Sequence, residues 1–324
     1  MVKLSSKKEE RYLIKLLVVT GDFSKYISPS FHYLLNEVAK LTHLTVWHEP
    51  GNIKEIINSL PSRPDFIFIN EFGETNSPKL SGLDSLDIPY AINLHDLHYH
   101  IDQRKELLKS LNPKAIFTYY RDKFYDWYPE YSSIMRWLPH HANTDIFKDY
   151  GLNKEIDFLL MGAIHPTIYP LRYKILETMQ HKSGFVYYKH PGYRNIEDHE
   201  KNTTFAGEKY AQEINRAKIF LTCNSHYNYT IMKYFEVLAC RTLLLAPVSP
   251  EILDLGLIPG KHFVSITEDD FEEKAEYYLY HHEEREKITE EGYRFVQEYH
   301  STIQRARQFV SLISDMISIN NLNR

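Results

Sequence analysis

The chain has 324 residues, 43% of them hydrophobic and 25% charged, the balance of an ordinary water-facing globular protein with room for about two domains. Lys and Arg number 38 against 43 Asp and Glu, a net charge of −5. That argues against a nucleic-acid-coating protein, which carries a basic excess. Cys223 and Cys240 do not form a C-x-x-C pair, so no zinc knuckle or redox motif is indicated, and two isolated thiols suit a cytoplasmic location. No window approaches the roughly 18 apolar residues of a membrane span, which still leaves room for peripheral membrane contact. "MVKLSSKKEERYLIKLLVV" is not read as a signal peptide, because Lys15 interrupts its apolar run.

In chain order, "YLIKLLVVTGDF" reads as a buried strand ending at Gly21, followed by the helix "SFHYLLNEVAKLT" and the strand "HLTVWHE". The helix "IKEIINSL", the strand "RPDFIFINEF" and a strand opening after Pro89 in "LDIPYAINLHDLHYH" come next. The helix "RKELLKSLNP" and the strand "KAIFTYY" complete a first half. The alternation then restarts with the strand "EIDFLLMGAIH", the helix "YPLRYKILETMQ" and the strand "GFVYYKHPG". It continues through "GEKYAQEINRA", "KIFLTCNS", "IMKYFEVLAC", "TLLLAP" and "HFVSI", and ends in three helices. Alternating strands and helices predict an α/β fold with parallel sheets, here two Rossmann-like halves joined near residues 148–155.

Open parallel sheets bind ligands beyond the carboxyl ends of their strands. Residues just after strands therefore carry most information: Gly21, Glu71, His95, Asp96, Tyr119, Gly162, His190, Asn224 and Pro247.

"YTIMKYFEVLACRTLLLAP" (residues 229–247) is apolar apart from Lys233, Glu236 and Arg241. A helix over 231–240 begins near Tyr229 and Thr230, with Thr230 as N-cap and free N–H groups forming an anion site. Lys233 would add a point charge for phosphate, and Glu236, three residues on, a carboxylate for ribose hydroxyls. The alternative is a solvated Lys–Glu pair. In "DFLLMGAIHPTIYPLRYK", Gly162 lets the backbone approach a ligand, and Arg172 could fork onto a diphosphate. The loop "YKHPGYRN", with His190, would border the base. In "AINLHDLHYH", His95, Asp96, His98 and His100 cluster past a strand. His95 and Asp96 read as polar cleft residues, His95 as a general base or a hydroxyl partner. His98 and His100 share a strand face that His95 does not, which speaks against one metal site. Walker, dinucleotide and hydrolase-elbow motifs are absent.

"MKYFEVLACRTLLLAP" resembles the E-A-L-A-C-G-T-P-V-L-A block of GT-B glycosyltransferases related to family 4. "LPHHANTDIF" and "IDFLLMGAIHPTIYPLR" resemble the segments that lead into and open their second domain. "FAGEKYAQEINRAKIFLT" resembles a segment of the CgeB-like, spore-protein-type group. The likeness is clearest over about residues 135–315. It implies a GT-B fold, two Rossmann-like domains facing across a cleft, with the last helix crossing back to the first domain. The implied division is an acceptor domain over 1–150, joined by the helix near 301–318, and a donor domain over 151–300.

The resemblance further implies a nucleotide-sugar donor, UDP- or GDP-linked, and transfer to a glycan, protein or small-molecule acceptor with retention of configuration. It implies no cofactor or obligatory metal. Glu236 matches the second Glu of the family's E-x7-E pattern, which holds the ribose. Lys233 matches a basic position three before it. The expected donor-binding set is thus Gly21, Gly162, Arg172, His190, Asn228, Tyr229, Thr230, Lys233 and Glu236, with His95 and Asp96 as the catalytic pair. Asn228 stands where the pattern has its first Glu, and Arg241 where it has Gly. The substitution at 228 keeps a second reading open, a non-catalytic nucleotide or sugar binder on the same fold in surface-coat assembly.

Overall fold

The computed structural model describes residues 13–71, 77–200 and 202–322. Short β-branched and aromatic runs, bounded by turn residues, form the strands. In the first half these are β1 (Lys15–Val19), β2 (His43–Trp47), β3 (Gly51–Asn52), β4 (Phe66–Asn70), β5 (Leu80–Ser81), β6 (Tyr90–Leu94), β7 (Ala115–Thr118) and β8 (Met135–Trp137). Between them lie α1 (Ser30–Val38), α2 (Ile53–Ser59), α3 (Ile101–Leu111) and α4 (Arg121–Trp127). The second half holds β9 (Ile156–Gly162), α5 (Pro170–Met179), β10 (Phe185–Lys189), α6 (Gly207–Asn215) and β11 (Ala217–Leu221). It continues with α7 (Lys233–Ala239), β12 (Leu243–Ala246), α8 (Pro250–Asp254), β13 (Val264–Ser265), α9 (Phe271–Tyr280) and α10 (His282–Tyr299), and α11 (Thr302–Leu322) closes the chain.

Two parallel sheets result. The first is six-stranded in the order β2-β1-β4-β6-β7-β8, the second five-stranded in the order β10-β9-β11-β12-β13. β3 and β5 make a small separate pair. Strand order reverses between β1 and β4 and again between β9 and β11, and such reversals open a crevice at the carboxyl edge. The central strands are apolar on both sides, as helix-covered parallel strands must be: Phe66–Asn70 and Tyr90–Leu94 are buried throughout.

α1 and α11 cover one face of the first sheet, where Phe68 meets Phe117 and Phe309 edge-to-face. Phe309 belongs to α11, so the last helix returns to the first half as expected. α5 and α9 cover one face of the second sheet, while α6, α7 and α10 cover the other. The chain crosses between halves around residues 139–150 and again at 300–302. The two crossings are bonded to each other: Ala142 N donates to His300 O at 3.1 Å and Thr302 N to Ala142 O at 2.9 Å. Arg305 adds Nη2–H to His140 O at 3.3 Å.

Among the described residues, no helix is long and apolar enough to cross a membrane.

Candidate functional site

At the β9/β11 reversal the second half brings two cations together from opposite faces of its sheet. Arg172 comes from α5, buried to 3% exposure, and Lys233 opens α7 on the other side. They meet over Gly162, the last residue of β9. Gly162 has φ 138, and a Cβ there would sit 3.0 Å from Arg172 Nη1 and 3.6 Å from Lys233 Cε. Only glycine satisfies both the backbone and the space. Arg172 Nη1 donates to Ala163 O at 2.9 Å, and its Nε is buried with no partner among the described residues. Lys233 has no hydrogen bond or ion pair among the described residues, and its Nζ lies 5.9 Å over the Tyr210 ring.

Glu236 lies one turn along α7, buried, and accepts from Tyr210 OH at 3.4 Å. His190, just past β10, accepts from Gly192 N at 3.0 Å and packs against the exposed Tyr193 ring at 4.6 Å. Burial and then the charge of Arg172 hold the Lys233 ammonium down to about 8, against a weaker opposing pull from Glu236. Burial, then Lys233 and Arg172, lower His190 to about 4. Burial also raises Glu236, more than Lys233 lowers it. Each shift records a group stripped of water without full compensation from the protein. Gly162, Arg172, His190, Lys233 and Glu236 therefore form one cluster, with two cations suited to an anion and a carboxylate suited to hydroxyl donors.

At the β1/β4 reversal of the first sheet, polar side chains form a buried chain. Asn70 Nδ2 donates to Thr20 Oγ1 at 3.0 Å, Asn93 Nδ2 to Asn70 Oδ1 at 3.0 Å, and the His95 Nε2 site lies 2.7 Å from Asn70 Oδ1. His95 Nε2 also lies 3.1 Å from Asn93 Nδ2, so the ring nitrogen sits between the two asparagine side chains. Burial lowers His95 to about 4, so the ring is neutral near pH 7. Buried Glu71, with φ 82, accepts the His95 backbone N–H at 2.7 Å and pairs with Arg104 at 3.3 Å, which fixes the loop. Asp96, next in sequence, is exposed.

The histidine run does not converge. His95 serves the asparagines, His98 Nδ1 lies 3.1 Å from Tyr229 OH, and His100 takes a left-handed φ of 49 before α3. No group of three metal-holding side chains occurs among the described residues.

The other expected residues lie elsewhere. α7 begins at Lys233, so Thr230 is not its N-cap: the Thr230 hydroxyl donates to Glu251 Oε2 at 3.0 Å. Tyr229 is drawn into the first half, stacked on Tyr120 with ring centroids 3.8 Å apart. Asn228 is an exposed loop residue with φ 59, bonded to Asn224. Gly21 lines a cavity of about 310 Å³ between β1, β2 and α1, beside Asp22, His32 and His48. Arg241 takes the left-handed φ of 52 at the end of α7, where glycine usually serves, and pairs with Asp149 and Glu290 at 3.0 Å.

The halves touch along both sides of the cleft. Residues 25–27 pair with 194–196 as a short antiparallel bridge, with Ile27 N donating to Arg194 O at 2.9 Å and Ile196 N to Lys25 O at 2.7 Å. Ser28 Oγ reaches Met232 Sδ at 3.7 Å, just ahead of Lys233. Opposite, Glu251 of α8 accepts from Asp122 N at 2.8 Å. Sequence reading missed Asn70 and Asn93, which lie inside apolar strands rather than after them. Two Asn within "FIFIN" and "YAINL" were the available signal.

A family model described as "glycosyl transferase-like" matches residues 152–311, the stretch that holds the cation cluster. No curated protein matches the sequence. Among solved structures, Anabaena HepE in complex with UDP and glucose superposes with TM-score 0.62 at 7% identity, covering 93% of this chain and 100% of that one. Sucrose-phosphate synthase from Thermosynechococcus elongatus gives 0.64 at 11% identity, covering 94% and 99%. An α-glucosyltransferase in complex with UDP-glucose and DNA gives 0.59 at 12%, covering 92% and 98%. At such identities the likeness is one of fold, the GT-B arrangement of two Rossmann-like halves.

Proposed function

We propose that this GT-B protein is a glycosyltransferase that moves a sugar from a nucleoside diphosphate to an acceptor held in the cleft. One observation carries the reading: Arg172 and Lys233 converge over Gly162 with no ion-pair partner for either among the described residues, and Glu236 stands one turn away. In water-poor surroundings two such cations favour a diphosphate and stabilise it as a leaving group. Glu236 would accept the ribose hydroxyls, and the His190 loop would border the base. The donor domain is then 151–300 and the acceptor domain 1–150 with α11.

His95 and Asp96 face the cleft from the acceptor side. His95, neutral near pH 7, would orient an acceptor hydroxyl or take its proton. Nucleotide-sugar transfer is consistent with the printed ligands of the compared structures, UDP and UDP-glucose, so UDP is the first donor to try. The resemblance of residues 205–222 to the CgeB-like group, and of 232–247 to family-4-related GT-B enzymes, supports reading the chain with those groups. Retention and independence from metal are part of the same proposal.

Asn228 supports the second reading, a binder without turnover. It is exposed and bonded to Asn224 rather than placed among the cluster residues. Calorimetry with UDP and GDP, followed by a hydrolysis and transfer assay with their sugars, tests both. Micromolar binding with turnover supports the enzyme. Tight binding with no turnover supports the binder, and no binding of either nucleotide ends both readings.

A further inference from the structure

Tyr33 belongs to α1 of the first half, yet its hydroxyl lies against the start of α6 in the second. The loop leading into α1 is fastened across the cleft by the 25–27 to 194–196 bridge and by Ser28 against Met232. This strap brings the first turn of α1 against the start of α6. The Tyr33 hydroxyl lies 4.0 Å from the place a Cβ would occupy on Gly207. Burial first, then the charges of Glu236 and Glu208, raise the phenol to about 12. The ring is half-buried, and its hydroxyl bonds no protein group among the described residues.

Tyr210, on α6, donates to the Glu236 carboxylate from its own half, and Tyr33 comes against the start of the same helix from across the cleft with its hydroxyl uncommitted among the described residues. A phenol both donates and accepts, so it suits a pair of neighbouring hydroxyls of which one already points at a carboxylate.

We propose that Tyr33 is a donor-binding residue contributed by the first half, reading the ribose diol together with Glu236. This rests on the donor reading above. The site would then be complete only while the strap holds α1 in place, and the nucleoside would be recognised by both halves at once.

The test compares UDP with 2′-deoxy-UDP by calorimetry on the full chain and on Tyr33→Phe, with melting temperatures measured for both proteins. The expected result is a loss of about three- to tenfold in UDP affinity for Tyr33→Phe, the range of one neutral hydrogen bond. The loss for 2′-deoxy-UDP is smaller, and the melting temperature of the free protein is unchanged. Wild-type UDP affinity in Tyr33→Phe, or equal losses for both nucleotides, overturns the proposal. If Glu236→Ala weakens UDP binding while Tyr33→Phe does not, Tyr33 alone is removed from the site. A wild-type protein that binds no nucleoside diphosphate overturns the donor reading and this inference together.

Discussion

Lys233 has given up most of its water without an ion-pair partner among the described residues, and that makes its charge conditional on pH. Its ammonium titrates near 8, below the ordinary lysine range. Below that pH it is charged and ready for a diphosphate. Above it, a proton must be taken up on binding, so UDP affinity falls as pH rises through about 8. Calorimetry in two buffers of different ionisation enthalpy should show proton uptake near pH 8.5, and Lys233→Arg should flatten the profile. In the free protein the same depressed value runs the other way: between about 8 and 10.5 the unfolded chain holds the extra proton, so this group's contribution to stability rises with pH. Glu236→Ala should weaken UDP binding by about 1–3 kcal/mol, the scale for a hydrogen bond to a charged group. Lys233→Ala should cost UDP more than uridine. Equal losses would mean that α7 had shifted rather than that a phosphate contact was lost. Lys233, Glu236, Arg172 and Gly162 were legible in the sequence because a charge in an apolar run, or a glycine at a strand end, signals a cost accepted locally. Tyr33 was not, because nothing near it in sequence distinguishes it from other tyrosines on an amphipathic helix.

Thr230 and the start of α7 show what an element's own sequence cannot decide. A threonine ahead of an apolar helical run has the look of an N-cap. Its hydroxyl instead serves Glu251, 21 residues later, and the helix starts at Lys233. The competing partner is buried and far away in sequence, so no local pattern announces it. The longer strands, by contrast, were located because buried parallel strands are continuous apolar runs bounded by turn residues, while the short β3, β5 and β8 were not read. Asn70 and Asn93 escaped because they lie within such runs as paired neighbours of β4 and β6, a register that emerges only when the sheet assembles. Glu251 itself carries a prediction. Burial lifts its carboxyl to about 7 despite hydrogen bonds from Asp122 N and Thr230, with Asp122 repelling and Arg121 attracting it. Between about pH 4.5 and 7 the folded protein holds a proton that the unfolded chain has released. Stability therefore falls as pH rises through that window. Glu251→Gln should make the melting temperature less dependent on pH from 5 to 7, and an unchanged slope would place the titration elsewhere.

For the whole molecule, the bridge between residues 25–27 and 194–196 ties the two halves across the cleft. Tyr26 and Asn195 face each other across it, and opposed antiparallel residues sit about 4.5–5.5 Å apart at Cα, within disulfide range. The pair Tyr26→Cys and Asn195→Cys, oxidised, should slow both UDP association and release by about tenfold or more in stopped-flow measurements, with reductant restoring the rates. Unchanged rates in the cross-linked protein would show that nucleotide passes without opening this side. The two-sheet architecture was legible because alternation of strand and helix survives in any single sequence, and the return of the last helix was implied by the resemblance to GT-B enzymes. The meeting of the halves was not, since Tyr229 on Tyr120 and Glu251 on Asp122 are pairings between distant stretches.

The two stitched crossings of the chain, at Ala142 and at His300 to Thr302, have a mechanical meaning. Had they lain far apart, the halves would have been pinned at two separated points, and opening would have required bending a helix. Because Ala142 is bonded to both His300 and Thr302, the two crossings lie together and act as one hinge pin. A body held on one short pin has one soft rotation and resists sliding. The halves should therefore swing apart like the covers of a book, with the largest travel at the edge farthest from the pin, and each closure should return the two rims to the same register.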